Sequence, residues 1–300
     1  MTTTTGDHLN VSRDETDRSP NPSAVGLRML MATVAKARSY MSIHWNGAEL
    51  TWLGYACARI EGPNGTVVYT DPGRYGSLDG TWSSQYGGRT HPAGSPYEAM
   101  DGDLVLVTHD HHYDSDGIRR VAGEEATVLV HESIDADLIG SNGRSVEAPE
   151  ELPFAIDRVS AGDRYSIDGV DIQILPAYND PDGPNVHPDG TPIHPEGQGC
   201  GFRFSVAETS YCWPGDTDVL DAHLKMDVSV LLPSISSSYT MNRHDAAELA
   251  AAIRPDLVVP IHYNTFDALQ ADSRAFAADV AYRQIPVALD ERTFAPEAGS

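Results

Sequence analysis

The sequence predicts an α/β fold of two β-sheets with helices on their outer faces. Three observations predict it. Apolar runs of buried-strand length recur along the chain, as at 104–107, 127–130 and 257–261. A block of strands followed by strand–helix alternation occurs twice. Ligand-type side chains, His and Asp, stand directly after several of the runs.

The elements follow in order. Residues 1–22 are Thr, Asp, Ser, Pro and Asn with almost no apolar content, which reads as disorder. Residues 23–40 read as a short amphipathic helix, and Met41 opens a segment that looks like a domain start. The expectation is an extension over 1–44, disordered or weakly helical, a single domain over 45–292 and a flexible tail over 293–300. Residues 50–60 alternate and read as a strand, Pro63-Asn64-Gly65 as a turn and 66–70 as the returning strand. Asp71-Pro72-Gly73 ends it. Residues 73–97 are rich in Gly, Ser and Tyr without periodicity and read as a long loop of the kind that carries function. Strands follow at 104–107 and 127–130, with a helical stretch over 118–123 between them. The second cycle has strands at 164–167, 170–175, 201–206, 210–213 and 228–232, then an Ala- and Leu-rich helix over 243–253 and a strand at 257–261. No repeat of solenoid length is present.

Three hundred residues suffice for one large domain or two small ones. The formal charge is -24 and the sequence pI is about 4.6. Lys36 and Lys225 are the only lysines, so the basic side is almost entirely arginine. An acidic, lysine-poor surface stays solvated where the Debye length is short, which points to a halophilic source. It also disfavours nucleic acid as a partner. Cys57, Cys200 and Cys212 lack CxxC spacing and read as small buried hydrophobes of a reducing compartment. No apolar run is long enough to span a membrane and no secretory signal is evident, so a cytoplasmic location without membrane contact is expected.

Four ligand-type signals carry the chemistry. Residues 108–117, THDHHYDSDG, place His109, His111 and His112 after a strand. Imidazoles at i and i+2 leave the same face of an extended chain, and imidazole with carboxylate suits zinc and its first-row neighbours. His194 stands in a glycine-rich HPEGQGCGF, with His187 of a similar HPDG as its rival. Asp216 follows the strand Tyr211-Cys212-Trp213, where it is either a ligand or a helix cap. His262 directly follows Val258-Val259-Pro260-Ile261.

These residues, with LTWLGYACARIE at 50–61, Asp71-Pro72, Ala177-Tyr178-Asn179, PGDTD at 214–218, LLPSISSSYTM at 231–241 and PIHYNTF at 260–266, resemble the metallo-β-lactamase superfamily. The similarity runs over about 48–290 and is greatest to the branch of ascorbate-6-phosphate lactonase-like and uncharacterised metal-dependent hydrolases. The resemblance implies an α/β four-layer αββα sandwich with a metal site at one edge. It implies that His109, His111 and His194 hold one metal, that Asp216 bridges two, and that His262 belongs to the second. The chain departs from the family motif H-x-H-x-D-H. Aligned without a gap, Tyr113 and Asp114 stand at its last two ligand positions, and Gly117 falls on the downstream glycine. A one-residue insertion at His112 instead puts Asp114 on the motif Asp and Ser115 on its His. Asp114 is then the best surviving carboxylate ligand, His112 a substitute, and a single metal at His109, His111, His194 and Asp216 the other alternative. Tyr55 replaces the His of an LGH opening.

The implied function is a metal-dependent hydrolase that uses a metal-bound hydroxide on an ester, lactone, amide or phosphodiester of a small molecule. The cofactor is zinc, one or two ions, with manganese or iron as alternates. Asp216 and Asp114 would position the hydroxide and transfer protons, and Tyr239 or Tyr263 would stabilise the oxyanion. In the 73–97 loop, Arg74 and Arg89, with Tyr75 and Tyr86, are candidates for holding an anionic substrate. The competing reading is a non-catalytic metal-binding protein that has kept the fold with a degraded second site. A nuclease ranks last, for want of a basic stripe. A homo-oligomer is compatible with the sequence.

Overall fold

The computed structural model of the protein describes residues 42–79, 81 and 97–291. The expected N-terminal extension up to residue 41, the loop positions Tyr86 and Arg89, and the tail from 292 lie outside the described residues.

Seven strands form the first sheet, in the order β1 (Ile43–Trp45), β2 (Ala48–Gly54), β3 (Cys57–Glu61), β4 (Val67–Thr70), β5 (Gly102–Val107), β6 (Ala122–His131) and β7 (Ala155–Val159). β1 to β4 pair antiparallel and β4 to β7 parallel. The second sheet runs β13 (Leu257–Val258), β12 (Val230–Leu231), β11 (Thr209–Trp213), β10 (Cys200–Val206), β9 (Val170–Pro176) and β8 (Arg164–Ile167). Its β8 to β11 are antiparallel and β11 to β13 parallel. The helices are α1 (Ser115–Val121), α2 (Ala136–Ser141), α3 (Arg243–Ile253) and α4 (Ser273–Tyr282).

Period-two geometry explains the layers. The run at 104–107 is apolar throughout because both faces of its strand are covered, as parallel strands require. Leu104 and Leu106 face the core shared with Ile172, Ile174, Phe202 and Phe204 of the second sheet. Val105 and Val107 face the opposite way, into a cluster with Ile118 and Val121 of α1 and Ile139 of α2. On the far side, Ala246, Ala247, Leu249 and Ala250 of α3 and Phe276 and Val280 of α4 are buried with Leu231 and Val258. The order is helices, sheet, sheet, helices. The three cysteines are buried and free. Among the described residues no helix is long and apolar enough to cross a membrane.

The single strand expected over 50–60 is two. β2 and β3 pair with Leu50 opposite Ile60, turning at Gly54-Tyr55-Ala56 with Gly54 at φ 107° and Tyr55 at φ 52°. The alternation runs through the turn unbroken because both strands are almost wholly buried. The edge strand β7 and the short helix α2 expose most of their residues and left no periodic signal in the sequence.

One edge of the sandwich is stitched across the sheets. Cys200 N donates to Thr108 O at 3.1 Å and His262 N to Tyr55 O at 2.9 Å. Between these lies Asp71, buried at the end of β4. Its carboxylate accepts from Thr108 N at 2.8 Å, Thr108 Oγ1 at 2.9 Å and Trp213 Nε1 of β11 at 2.6 Å. Replacing it by Ala strands these buried donors, and each stranded donor costs about 1–3 kcal/mol. Asp71→Ala should therefore lower the unfolding free energy by about 3 kcal/mol or more in urea titrations. A loss below about 1 kcal/mol would show that the cross-sheet link contributes little.

Candidate metal centre

The stitched edge gathers side chains from four chain segments. β5 runs into Thr108 and His109, and a turn then carries His111 and His112; the amides of His112 and Tyr113 both bond His109 O. The connection after β9 brings Asn179 and His194 together. β11 leads through Gly215, at φ 77°, to Asp216. β13 leads to His262, at φ 56°. At Gly215 a Cβ would stand 2.4 Å from Cys200 O, so only glycine lets the chain turn here and aim Asp216 at the imidazoles.

The Asp216 carboxylate is the centre of the group. Its Oδ2 lies 3.7 Å from His109 Nε2, 3.5 Å from His194 Nε2 and 3.6 Å from His112 Nε2, and its Oδ1 lies 3.5 Å from His262 Nε2. His112 Nε2 and His262 Nε2 are 3.2 Å apart. One set that could hold a metal ion comprises His109, His111 and His194, and a second comprises His109, His112 and Asp216, with ligand atoms within 4.8 Å of one another. Ligands of a tetrahedral zinc ion stand roughly 3.4 Å apart for bonds near 2.1 Å. The spacings around Asp216 match that scale.

A surrounding ring of hydrogen bonds holds the Nδ1 side of each buried imidazole and leaves Nε2 facing inward. His109 Nδ1 meets Thr108 Oγ1 at 2.9 Å, and His112 Nδ1 meets Asp71 Oδ2 at 3.0 Å. His194 Nδ1 lies 3.1 Å from both Asn179 Oδ1 and Tyr239 O, and His262 Nδ1 lies 3.3 Å from Ser234 Oγ. Such outer partners select the tautomer with a lone pair on Nε2. The inner atoms are bare: His109 Nε2, His194 Nε2 and Asp216 Oδ1 are buried without a hydrogen-bond partner. Buried polar atoms without partners are costly, and cation binding at this centre would satisfy such atoms. The donor set fits a metal.

Electrostatics agree. Burial pushes the His109 and His112 imidazoles well below their ordinary range, with neighbouring imidazoles adding to the effect. Burial lowers His194 to about 4 and His262 to about 3. Burial, then the Asp71 charge, pushes Asp216 well up. Asp71 itself rises to about 7, burial outweighing its hydrogen bonds to Thr108 and Trp213. Without a cation the cluster is held neutral. A divalent ion reverses this at Asp216, restoring the carboxylate.

Three expected roles, those of Asp114, Tyr263 and Tyr239, are placed differently. Asp114 is the N-cap of α1. Its Oδ1 accepts from Asp116 N and Gly117 N, and its Oδ2 accepts from Arg74 N at 2.5 Å. Both oxygens are thereby committed to backbone amides, and Asp114 is in neither ligand set. Gly117 packs against the backbone of Pro72 and Gly73, where a Cβ would come within 2.3 Å of Pro72 O, as the ungapped alignment implies. Tyr263 is a core residue, stacked on Trp52 at 4.8 Å with its hydroxyl donating to Glu291 Oε1. Tyr239 reaches the centre through its backbone carbonyl, its side chain being exposed. His187 is exposed and outside the cluster, so His194 is the residue brought to it.

Sequence reading did not single out Thr108, Trp213 or Ser234, nor the roles of Asp71 and Asn179. Strand-end Asp71 and the Ala-Tyr-Asn segment were visible, but nothing local shows that they hold His112 and His194. Tyr55, at the hairpin tip, sets its ring 4.7 Å from His112 and 4.6 Å from His262.

The fold has known counterparts. The family model described as beta-lactamase superfamily domain matches residues 49–262. A UPF0173 metal-dependent hydrolase of Methanopyrus kandleri is 29% identical over 241 residues, covering 77% of this chain and 91% of the relative. Among solved structures, Igni18, a metallo hydrolase of Ignicoccus hospitalis, is similar with a TM-score of 0.54 at 22% identity, covering 83% of this chain and 99% of that one. A metal-dependent hydrolase of Parabacteroides distasonis is similar with a TM-score of 0.56 at 18% identity, covering 83% and 96%. Two mixed sheets between helices, a ligand cluster at one edge and a family match across both sheets together place this chain in the metallo-β-lactamase superfamily.

Proposed function

We propose that this protein is a metal-dependent hydrolase that cleaves an ester, lactone, amide or phosphodiester bond of a small molecule. One observation carries the reading: buried imidazoles converge on Asp216, each with Nδ1 held from outside, and His109 Nε2, His194 Nε2 and Asp216 Oδ1 are left without partners. The names borne by the relatives support it.

His109, His111, His194 and Asp216 would hold one ion. His112 and His262, with Asp216 between the two sets, would hold a second, His112 supplying the nitrogen that the altered motif lacks. The nitrogen-rich sets suit zinc, with manganese or iron as alternates. A bound ion supplies a Lewis acid and lowers the pKa of water to about 7. The chain's own residues do the rest. Asp71 and Asn179 fix His112 and His194 in orientation. Asp216 is the carboxylate placed to accept a proton at the centre, since Asp114 is occupied as a cap. His111, the more exposed ligand candidate, marks the side from which substrate enters. The acidic surface and the free buried cysteines support a cytoplasmic, halophilic setting.

Elemental analysis of desalted protein should find two first-row ions per chain. His112→Ala should remove about one equivalent. Asp114→Ala should keep both and cost about 1 kcal/mol as a lost cap. His194→Ala should lose metal where His187→Ala does not. A protein that cannot be loaded sinks the enzyme reading. A loaded protein inert toward esters, lactones, amides and phosphodiesters is a metal binder without turnover.

Stripped of metal, the protein should lose stability as pH falls from 6.5 toward 4. The four buried imidazoles protonate in the unfolded chain near 6.5 but resist protonation when folded, so the unfolded state binds more protons in that window. Asp71 and Asp216 act with the opposite sign, their carboxyls being raised, but they are two against four. Thermal unfolding after chelation tests this; a midpoint that rises on acidification would contradict it.

A further inference from the structure

Two guanidinium groups stand beside the centre without an acidic partner. Arg74, at φ 64° just past the end of β4, donates from Nη1 to His111 O. Arg144 donates from Nη1 to Asp110 O at 2.9 Å and from Nη2 to Tyr113 O. Both therefore grip the turn that carries His111 and His112. Five other arginines, Arg59, Arg119, Arg120, Arg158 and Arg243, pair with carboxylates. Among the described residues, neither Arg74 nor Arg144 does, nor do Arg164, Arg203, Arg254, Arg274 and Arg283; what sets Arg74 and Arg144 apart is that both bond carbonyls of the ligand turn.

Their placement is toward the reacting region. Arg74 bonds the carbonyl of His111, and the Tyr55 ring that Tyr75 packs against lies 4.7 Å from His112 and 4.6 Å from His262. The Arg74 guanidinium lies 4.4 Å over the Tyr75 ring, and its Nε is buried without a partner. Tyr75 in turn packs on Tyr55 and Phe266 at 5.3 and 4.9 Å, an aromatic wall beside His112 and His262. Arg144, half-buried, is held down by burial and by the Arg74 charge, with the Asp114 carboxylate acting the other way. An anion between the two guanidinium groups and the metal takes charge-assisted hydrogen bonds from a planar fork.

We infer that Arg74, backed by Arg144, is the specificity determinant for a substrate that carries a carboxylate or phosphate group, bound beside the metal centre with its carbon skeleton against Tyr55, Tyr75 and Phe266. This rests on the hydrolase reading for the word substrate, but the binding site itself does not.

The test uses the zinc-loaded full-length protein. Binding of glutarate and of methylphosphonate is measured by calorimetry for wild type, R74Q, R74K and R144Q, with zinc content measured in parallel. At least one anion should bind the wild type, and the tighter one names the group. Affinity should fall about ten- to hundredfold in R74Q, the scale of a lost charge-assisted contact, with R74K in between because lysine keeps the charge without the fork. R144Q should weaken binding less, with zinc retained in every variant. With the mono-p-nitrophenyl ester of glutarate, R74Q should raise KM more than it lowers kcat. Arginine-dependent anion binding without turnover of any ester, lactone, amide or phosphodiester would sustain this inference and refute the hydrolase reading. Ester turnover with R74Q affinity at the wild-type level would do the reverse. Zinc lost from R74Q would make Arg74 a strut for the ligand turn and overturn the proposal. Should R74Q not fold, equal affinity in wild type, R74K and R144Q overturns it.

Discussion

The structure turns on a single buried carboxylate. Asp71 ends β4 of the first sheet, bonds the start of the ligand turn through Thr108, takes the indole proton of Trp213 from the second sheet and holds His112 from behind. A carboxylate fully out of water is expensive, and burial pushes its pKa to about 7. The cost is offset because each contact does double service. The bonds that satisfy Asp71 also set the spacing of the sheets at the one edge where His109, Asp216 and His262 must meet. Stability and ligand placement are the same interaction at this point.

From that anchor the centre is built by fixing one end of each imidazole. A histidine ring free to flip or change tautomer is a poor ligand, because ordering it costs affinity. Here the hydroxyls of Thr108 and Ser234, the carboxylate of Asp71, the amide of Asn179 and the carbonyl of Tyr239 hold the Nδ1 atoms. What remains is a set of inward lone pairs around Asp216 that the protein alone does not satisfy. Such unpaired buried groups destabilise the empty protein and favour the loaded one, which links metal binding to folding.

In the proposed ligand sets, one position of the altered motif exchanges duties with its neighbour. In THDHHYDSDG, Asp114 follows the ligand turn where α1 must begin. Three backbone amides compete for its two oxygens, and a helix N-terminus favours a carboxylate through both hydrogen bonds and dipole. Capping wins, and the carboxylate is drawn away from the centre. His112, two residues earlier, lies on the inner side of the turn and meets His262 at 3.2 Å. The same loop is bonded by Arg74 and Arg144 at the carbonyls of Asp110, His111 and Tyr113, which places both guanidinium groups beside the centre.

Much of this was legible in the chain itself. Buried-strand runs, the Ala-rich helix from 243 to 253 and four ligand signals after strands express local chemistry: side-chain periodicity and residue type. These point to the fold class and to His109, His111, His194, Asp216 and His262 as candidates, while the family enters through the resemblance of whole motifs and their order. Other features depended on contacts distant in sequence. The hairpin turn at Tyr55 was invisible because two fully buried strands alternate alike through it. The choice between His112 and Asp114 depended on Arg74 N, forty residues away, drawing the Asp114 carboxylate, and on Asp71 holding the His112 ring. Tyr263 differed from the expected oxyanion donor because its hydroxyl turns to Glu291, and Tyr239 because only its carbonyl reaches inward. A sequence lists which groups are available at a strand end. Which atom of each faces the centre is set by hydrogen bonds closed across the two sheets, and those exist only once the sandwich has formed.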